Sequence, residues 1–490
     1  MSSGLPPNVS YFMSRLMGVS TSHFKVFPQN SGSQSANKII RFELPSNTLL
    51  SLKSCRFMFN VTTTSSDTTT TTVRLPNDTR SFIDRMAIYM GGVLVQNSFS
   101  NYNILVHAKK ALGADRCSDT TLTHPEICRA TSYHTGAAFG TTATGAGAAS
   151  EARHETYDSL ANQLAIVDWE GFLSTAAPDI IDTGLFPQIT IEITLADNVI
   201  CPAMASVSGT PLALATSTTA TGIAQVATGG TPSYSLDNIT MQVEVLGMAS
   251  SVLDEVVAQR ISQVGYLSIP FKNYFSFSSS HSATSRFNVN SASWDRLWVA
   301  WRDSAGGAIS AAVPVSGYKL AGVYTSSTSA PASSTSVTQD IGKPQYDVGG
   351  SLDTNKEKYV ARAFNFVEPV ATIGTTVSNY QLQINSANYP AYKLTVPEAY
   401  ALTMNSIDVY DKTRVMSLDQ YRRNYFVQCY RFNLPESDFS GRMASGLDTR
   451  ATSAQCALVT ENVTTSTPCF IFAEVTSELR VANRAIEVIV

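Results

Sequence analysis

At 490 residues the chain has room for large cores, and its net charge of −4 excludes the sustained basic field that phosphate-backbone binding needs. Charged residues make up only 15%, against a usual level of about 25%; Thr, Ser, Ala and Asn take their place, so much of the surface is expected to lie against other subunits. Seven cysteines, odd in number and far apart, read as small buried hydrophobes and exclude a regular disulfide framework. The start, MSSGLPPNVSYF, lacks the basic and apolar regions of a signal peptide, and no run reaches the length of a membrane span. The expected place of synthesis and folding is therefore a cell interior, where the sequons at Asn60 and Asn462 go unmodified.

In chain order, residues 11–19 space Phe12, Met13, Leu16 and Met17 as a short amphipathic turn. Two readings stand together: an arm that binds a neighbouring subunit or an inner membrane face, and a tail packed on its own domain. Residues 38–44 (KIIRFEL) and 52–61 (LKSCRFMFNV) read as strands split by Pro45-Ser46-Asn47, and 62–72 as a loop. Residues 80–112 are the most informative. Apolar and polar positions alternate around Gly91-Gly92, which predicts a hairpin, because glycine reaches the positive φ that tight turns demand. From Tyr102 the spacing becomes helical through Ile104, Leu105, Ala108 and Leu112, with Lys109 and Lys110 near the C-terminal end, where the dipole favours cations. A Gly- and Ala-rich insertion at 129–155 reads as a surface loop, and 157–173 as a helix. Residues 186–195 (FPQITIEITL) alternate most cleanly, with Ile189, Ile191, Ile193 and Leu195 on one face. After a weakly charged excursion at 203–235, residues 239–246 (ITMQVEVL) do the same. Residues 251–262 (SVLDEVVAQRIS) predict a helix joining two halves.

The second half opens with aromatic, Ser-rich 274–289 and WDRLWVAWRD at 294–303, followed by a Ser/Thr/Pro loop at 324–339. Strand, turn, strand and helix return at 380–403, where Thr395 and Glu398 form a T-x-x-E capping box and Pro397 sits in the first turn. Matching Gly91 to Asn385 sets an offset of 294 (385 less 91), suited to a domain that occurs twice. Asp84-Arg85 and Asp295-Arg296 give 211 instead; the order of elements outweighs a dipeptide. A second capping-box helix is expected from Ser417 with Gln420, then a strand at 425–432 and closing strands at 470–475 and 479–490, bent at Asn483.

The search for chemistry is thin. No G-x-S-x-G, H-E-x-x-H, P-loop or G-x-G-x-x-G stands in a supporting context. Cys117, His124, Cys128 and His134 are the best metal candidates, yet lack the close ligand pairs of strong zinc sites. Asp84 and Glu192 invite a paired-carboxylate reading, but a strand-end ion pair and an outward strand residue explain them more simply. Trp294, Trp298 and Trp301 could stack on sugars, though aromatics in a strand more often fill a core or subunit contact. The expectation is of no catalytic, cofactor-binding or metal residue, and no enzyme.

On residues 82–96 with their following helix, 185–196 (LFPQITIEITLA), 239–261, 381–390 with its helix, and 445–490 containing SGLDTR and FAEVTSELRVANRAIEVIV, the chain resembles the double jelly-roll major capsid proteins of icosahedral double-stranded DNA viruses. This is the adenovirus-like lineage, and the likeness is greatest to polinton-like viruses and virophages. The resemblance implies an all-β chain of two tandem eight-stranded antiparallel jelly rolls with a few short helices and long loops. The domains expected are an N-terminal roll with an inner arm at 1–248, a linker helix at 249–265 and a C-terminal roll at 266–490. It further implies a homotrimer forming a pseudo-hexameric capsomer of the virion shell. The partners implied are neighbouring capsomers, penton and minor capsid proteins, and an inner membrane through the arm, without sequence-specific nucleic acid binding. The rival readings are a minor capsid or receptor-binding virion protein, and a carbohydrate-active β-sandwich protein.

Overall fold

The computed structural model describes residues 20–65, 71–73, 79–112, 164–200, 203–205, 225–226, 232–247, 265–280, 283–302, 323–324, 337–338, 364, 366–370, 376–385, 387–407, 418, 421–422, 425–433, 446–450, 455–464, 467–482 and 485–490. Strands β1 (Ser20–Val26), β2 (Ile39–Glu43), β3 (Leu49–Ser65), β4 (Ile83–Met90), β5 (Val93–Ser100), β6 (Leu164–Ile166), β7 (Ile180–Asp182), β8 (Ile189–Leu195) and β9 (Pro232–Gly247) build a first sandwich. One sheet runs β1-β9-β3-β6, with β7 also on β3; the facing sheet runs β2-β8-β4-β5. With β6 and β7 taken as one interrupted strand, this is the winding of an eight-stranded jelly roll.

The second half repeats it. Strands β10 (Leu267–Ser280), β11 (Thr284–Asn288), β12 (Trp294–Trp301), β13 (Asn379–Ile384), β14 (Ala387–Leu394), β15 (Val427–Arg431), β16 (Gln455–Glu461) and β17 (Pro468–Ala482) form sheets β10-β17-β12-β15 and β11-β16-β13-β14. A final strand, β18 (Ala485–Ile489), adds to β17. Matched by position in the winding, β1 corresponds to β10, β5 to β14, and helix α1 (Tyr102–Leu112) to helix α3 (Val396–Ile407); a one-turn helix α2 (Phe172–Thr175) lies between them in the chain. The two long helices start 294 residues apart, the same offset as their hairpins, so the repeat read from the hairpin and helix holds. Asp84 lies in β4 and Asp295 in β12, which are not corresponding strands, so the dipeptide echo is coincidental.

Side-chain alternation explains both cores. Along β8, buried Ile189, Ile191, Ile193 and Leu195 alternate with half-buried Thr190, Glu192 and Thr194, and β16 follows the same rule. The β4–β5 turn places Gly91 and Gly92 at φ 56° and 86°, as the hairpin required. Phe42, Phe57, Phe59, Phe82 and Tyr234 form a chain of ring contacts through the first core, with centroids 5.0 to 5.8 Å apart. Trp301, Tyr380, Phe426 and Tyr421 do so in the second. Cys55, Cys429, Cys456 and Cys469 are buried free thiols.

Several expectations change. The strand expected to end at Val61 runs on to Ser65, because it keeps pairing with the early part of β9 as far as Pro232. Within 157–173, expected to be helical, Leu164–Ile166 is a strand paired to β3, and the helix is only Phe172–Thr175. The excursions contribute small ladders, Thr71–Val73 with Ala203–Ala205 and Gln225–Val226, and Val323–Tyr324 with Val337–Thr338. The two closing strands begin as one: β17 passes unbroken through Thr476, Ser477 and Glu478, each paired to β10. The amphipathic turn at 11–19, the loop at 129–155 and the linker helix at 251–262 lie outside the described residues, as does most of the segment from Ser417.

Candidate assembly interface

Helix α1 buries 8 of its 11 residues, Asn103 among them, so it needs cover on most sides. The second sandwich supplies part of it, since α1 lies against β12 and β15 while β5 runs along β10. Main-chain groups bind the two rolls together. The Ser100 N–H donates to Ser276 Oγ at 3.1 Å, the Ala177 N–H to the Pro270 carbonyl at 3.1 Å, and the Lys272 N–H to Thr175 Oγ1 at 2.9 Å. Phe172 meets Phe271 edge to face at 5.1 Å, and the His107 ring stacks on Phe364 at 4.0 Å while bonding Ser81 Oγ at 2.7 Å.

Charge is concentrated at the same junction. Lys109, near the end of α1, reaches Glu170 Oε2 at 2.5 Å and donates to Tyr274 Oη at 3.2 Å; Tyr274 in turn donates to the same Glu170 oxygen at 3.2 Å. Beneath them Glu474 is 4% exposed and accepts from Trp298 Nε1 at 3.1 Å. Burial by itself pushes the Lys109 ammonium down, but the Glu170 and Glu474 carboxylates outweigh it and the net shift is upward. Burial likewise pushes Glu474 up, and the Lys109, Arg296 and Lys272 charges reverse it to a value below the usual carboxylate range. Burial first, then both carboxylates, drives the Tyr274 phenol well above its ordinary value. Sequence reasoning placed Lys109 at the helix end for its dipole and missed this role. The available signal was its place on the helix, off the polar stripe that Asn103, His107 and Lys110 form at i, i+4 and i+7.

The sequence-predicted sites fare differently. Cys117, His124, Cys128 and His134 lie outside the described residues; among the described residues no group of three or more His, Cys, Asp and Glu could hold a metal. Glu192 accepts from Arg41 Nε at 2.9 Å and stands opposite Ala87. Asp84 is three residues from Ala87, about 10 Å along the strand, and the two carboxylates do not form a pair. Trp294, Trp298 and Trp301 are buried and offer no face to a sugar. Asp295 is fully buried and bound by Lys272 at 2.8 Å, Ser293 and Thr476.

Corresponding elements differ in cover. In the second roll β10 is buried from Ile269 to Tyr274 save for half-buried Pro270, whereas its counterpart β1 is exposed from Ser20 to Lys25, with Phe24 48% accessible. Against the 8 buried residues of α1, α3 buries 4 of 12. Strand β14 is exposed over most of its length, with Tyr392 57% accessible. One end of the double sandwich therefore presents an uncovered β1, and the other an uncovered β14 and α3.

No protein-family model and no curated protein matches the chain. Among solved structures it is similar to the Faustovirus major capsid protein, at 11% identity over 98% of this chain and 92% of that one, with a TM-score of 0.50. It is also similar to PBCV-1 VP54 as fitted into a reconstruction of the virophage Sputnik (12% identity, 97% of each chain, TM-score 0.49) and to the mavirus major capsid protein (8% identity, 95% and 89%, TM-score 0.43). At these identities the likeness is one of fold. The chain has the double jelly-roll fold.

Proposed function

We propose that the chain is a major capsid protein, a shell-building subunit of an icosahedral virion, three copies of which close into a pseudo-hexameric capsomer. The observation that carries the reading is the unequal cover of corresponding elements. Within the chain, the β5 and α1 side of the first roll seals β10 and its sheet in the second; the matching β14 and α3 side of the second roll and the matching β1 of the first are left open. Surfaces related in this way fit one another head to tail between copies, and a head-to-tail contact closes into a ring when the rotation allows. Six similar sandwiches in a ring need three chains.

The likeness of fold to the Faustovirus capsid protein supports this role, as does the low charge of the chain. We further propose that the two rolls span 1–248 and 266–490, with a linker at 249–265 between them. The function is mechanical: rigid cores hold the faces, and many modest contacts sum to a stable shell. Mass photometry and electron microscopy of the purified full-length protein test it. The expected result is a species of three chains with six-lobed outline; a monodisperse monomer at high protein concentration would overturn the reading.

A further inference from the structure

One buried ion pair sits in a setting that an ion pair alone does not need. Lys272 of β10 and Asp295 of β12 flank the central strand β17, and Lys272 Nζ lies 2.8 Å from Asp295 Oδ2. A bulge brings them together. The β12 register slips between Trp294, opposite Val475, and Arg296, opposite Glu474, and the extra residue, Asp295, turns its carboxylate to Lys272. Thr476 of β17, opposite Lys272, bridges the two: Lys272 Nζ donates to Thr476 Oγ1 at 3.0 Å, and Thr476 Oγ1 donates to Asp295 Oδ2 at 2.6 Å. The other carboxylate oxygen, Oδ1, accepts from Ser293 Oγ at 2.9 Å. Gly446 closes the site on that side: its N–H donates to Ser293 Oγ at 2.8 Å, and a Cβ there would come within 2.7 Å of Asp295 Oδ1. Asp295 is 0% exposed and Lys272 8%, so water is nearly excluded.

We propose that Lys272 and Asp295 condense into an isopeptide bond, a covalent cross-link between β10 and β12 within the second roll. A hydroxyl both accepts and donates, so Thr476 relays a proton from the Lys272 ammonium to Asp295 Oδ2, leaving an amine beside a carboxylic acid. The nitrogen lone pair then attacks Asp295 Cγ, one C–O bond beyond Oδ2 and therefore at most about 4 Å away. The negative charge that develops on Oδ1 is held by the Ser293 hydroxyl. A second proton passes from the nitrogen through Thr476 to Oδ2, the C–Oδ2 bond breaks, Oδ2 leaves as water, and the Oδ1 charge returns as the amide carbonyl. Burial holds the Asp295 carboxyl above its ordinary value against Lys272, Thr476 and Ser293, which lower it, and so favours the first transfer. Exclusion of water favours the amide, which replaces two buried charges by neutral groups. Glu474 keeps Lys109 and Arg296 as its cations. The Lys109–Glu170 pair is the internal contrast: its side chains are 27% and 13% accessible, so water stays at hand and the ion pair persists.

Mass spectrometry of the folded full-length protein, denatured only for the measurement, tests the proposal. The chain should be lighter than its unlinked form by one water, and proteolysis should release a branched peptide joining Lys272 to Asp295. Chain purified in denaturant and never folded should carry its full mass. Thr476→Val keeps the shape of the relay residue but removes its hydroxyl, so linkage on folding should slow about 100-fold or more. Ser293→Ala removes the donor to the tetrahedral oxygen and should slow it by about 100-fold as well. A folded wild-type chain that keeps its full mass, or a lost water that maps to another pair such as Lys109 and Glu170, would overturn the proposal. Linkage at the wild-type rate in both variants would overturn the roles given to Thr476 and Ser293. The masses are read on single chains, so the cross-link can fail while the shell reading stands.

Discussion

Lys109 shows how far a single residue can be read. Its helix, its place near the C-terminus and its neighbours were legible from spacing; its partners Glu170 and Tyr274, 61 and 165 residues away, were not, since no local pattern encodes a contact between rolls. Cys55, Cys429, Cys456 and Cys469, the described cysteines, and the three tryptophans of β12 were legible as core because size and polarity alone decide their burial. Removing Lys109 takes the ion-pair partner from Glu170 and one of three nearby cations from Glu474. Lys109→Ala should destabilise by about 2 to 3 kcal/mol, less than a fully buried pair would lose because the lysine side chain keeps some access to water. Urea denaturation checks this. The pH dependence follows from the same group of charges. Glu474 lies below its ordinary value, so its contribution is fully present above the unfolded carboxylate value of about 4.3 and is lost as pH falls through the folded one. Lys109, shifted upward, contributes below about 10.4 and loses that contribution as pH rises through its folded value. Stability should therefore hold between those limits and fall at both ends, and Glu474→Gln should lower stability at neutral pH while flattening the acid limb.

Among the elements, those whose burial alternates in isolation were legible in the sequence, and those stabilised by a distant partner were not. β8, the Gly91-Gly92 hairpin, α1 and α3 carry their own signals: period, turn residue and the Thr395–Glu398 cap, where Glu398 Oε2 accepts from the Thr395 N–H at 2.8 Å. β6 and the polar middle of β17 lack one. Three residues are too short for a period, and Thr476-Ser477-Glu478 looks like a break until β10 is laid beside it. The segment SGLDTR is a different case, since its glycine answers to a neighbour. A Cβ on Gly446 would come within 2.1 Å of the Trp294 carbonyl oxygen, and the Gly446 N–H donates to Ser293 Oγ at 2.8 Å. Gly446→Ala must therefore move backbone, and should cost more than about 2 kcal/mol. Gly92→Ala, at φ 86° with open space around it, meets only the backbone penalty of about 1 to 2 kcal/mol. Chemical denaturation of the pair separates the two causes; equal losses would deny the close approach at Trp294.

At the scale of the whole molecule, duplication makes the two open ends unlike one another. A contact between them is heterologous, and that has a consequence which a symmetric two-fold contact lacks. Phe24→Asp spoils the β1 end and leaves the β14 end intact; Tyr392→Asp does the reverse. Both side chains are about half exposed in the single chain, so neither substitution should lower the melting temperature of the roll by more than about 0.5 kcal/mol equivalent, yet each alone should leave the protein monomeric. Mixed, the intact β14 end of one variant meets the intact β1 end of the other, and the remaining pair of ends is spoiled on both sides. The mixture should therefore yield dimers and stop there, because a ring of three cannot alternate two kinds of chain. Mass photometry reads the difference directly: a peak at twice the chain mass supports a head-to-tail ring, and a mixture that stays monomeric or closes to three would reject these two surfaces as its ends.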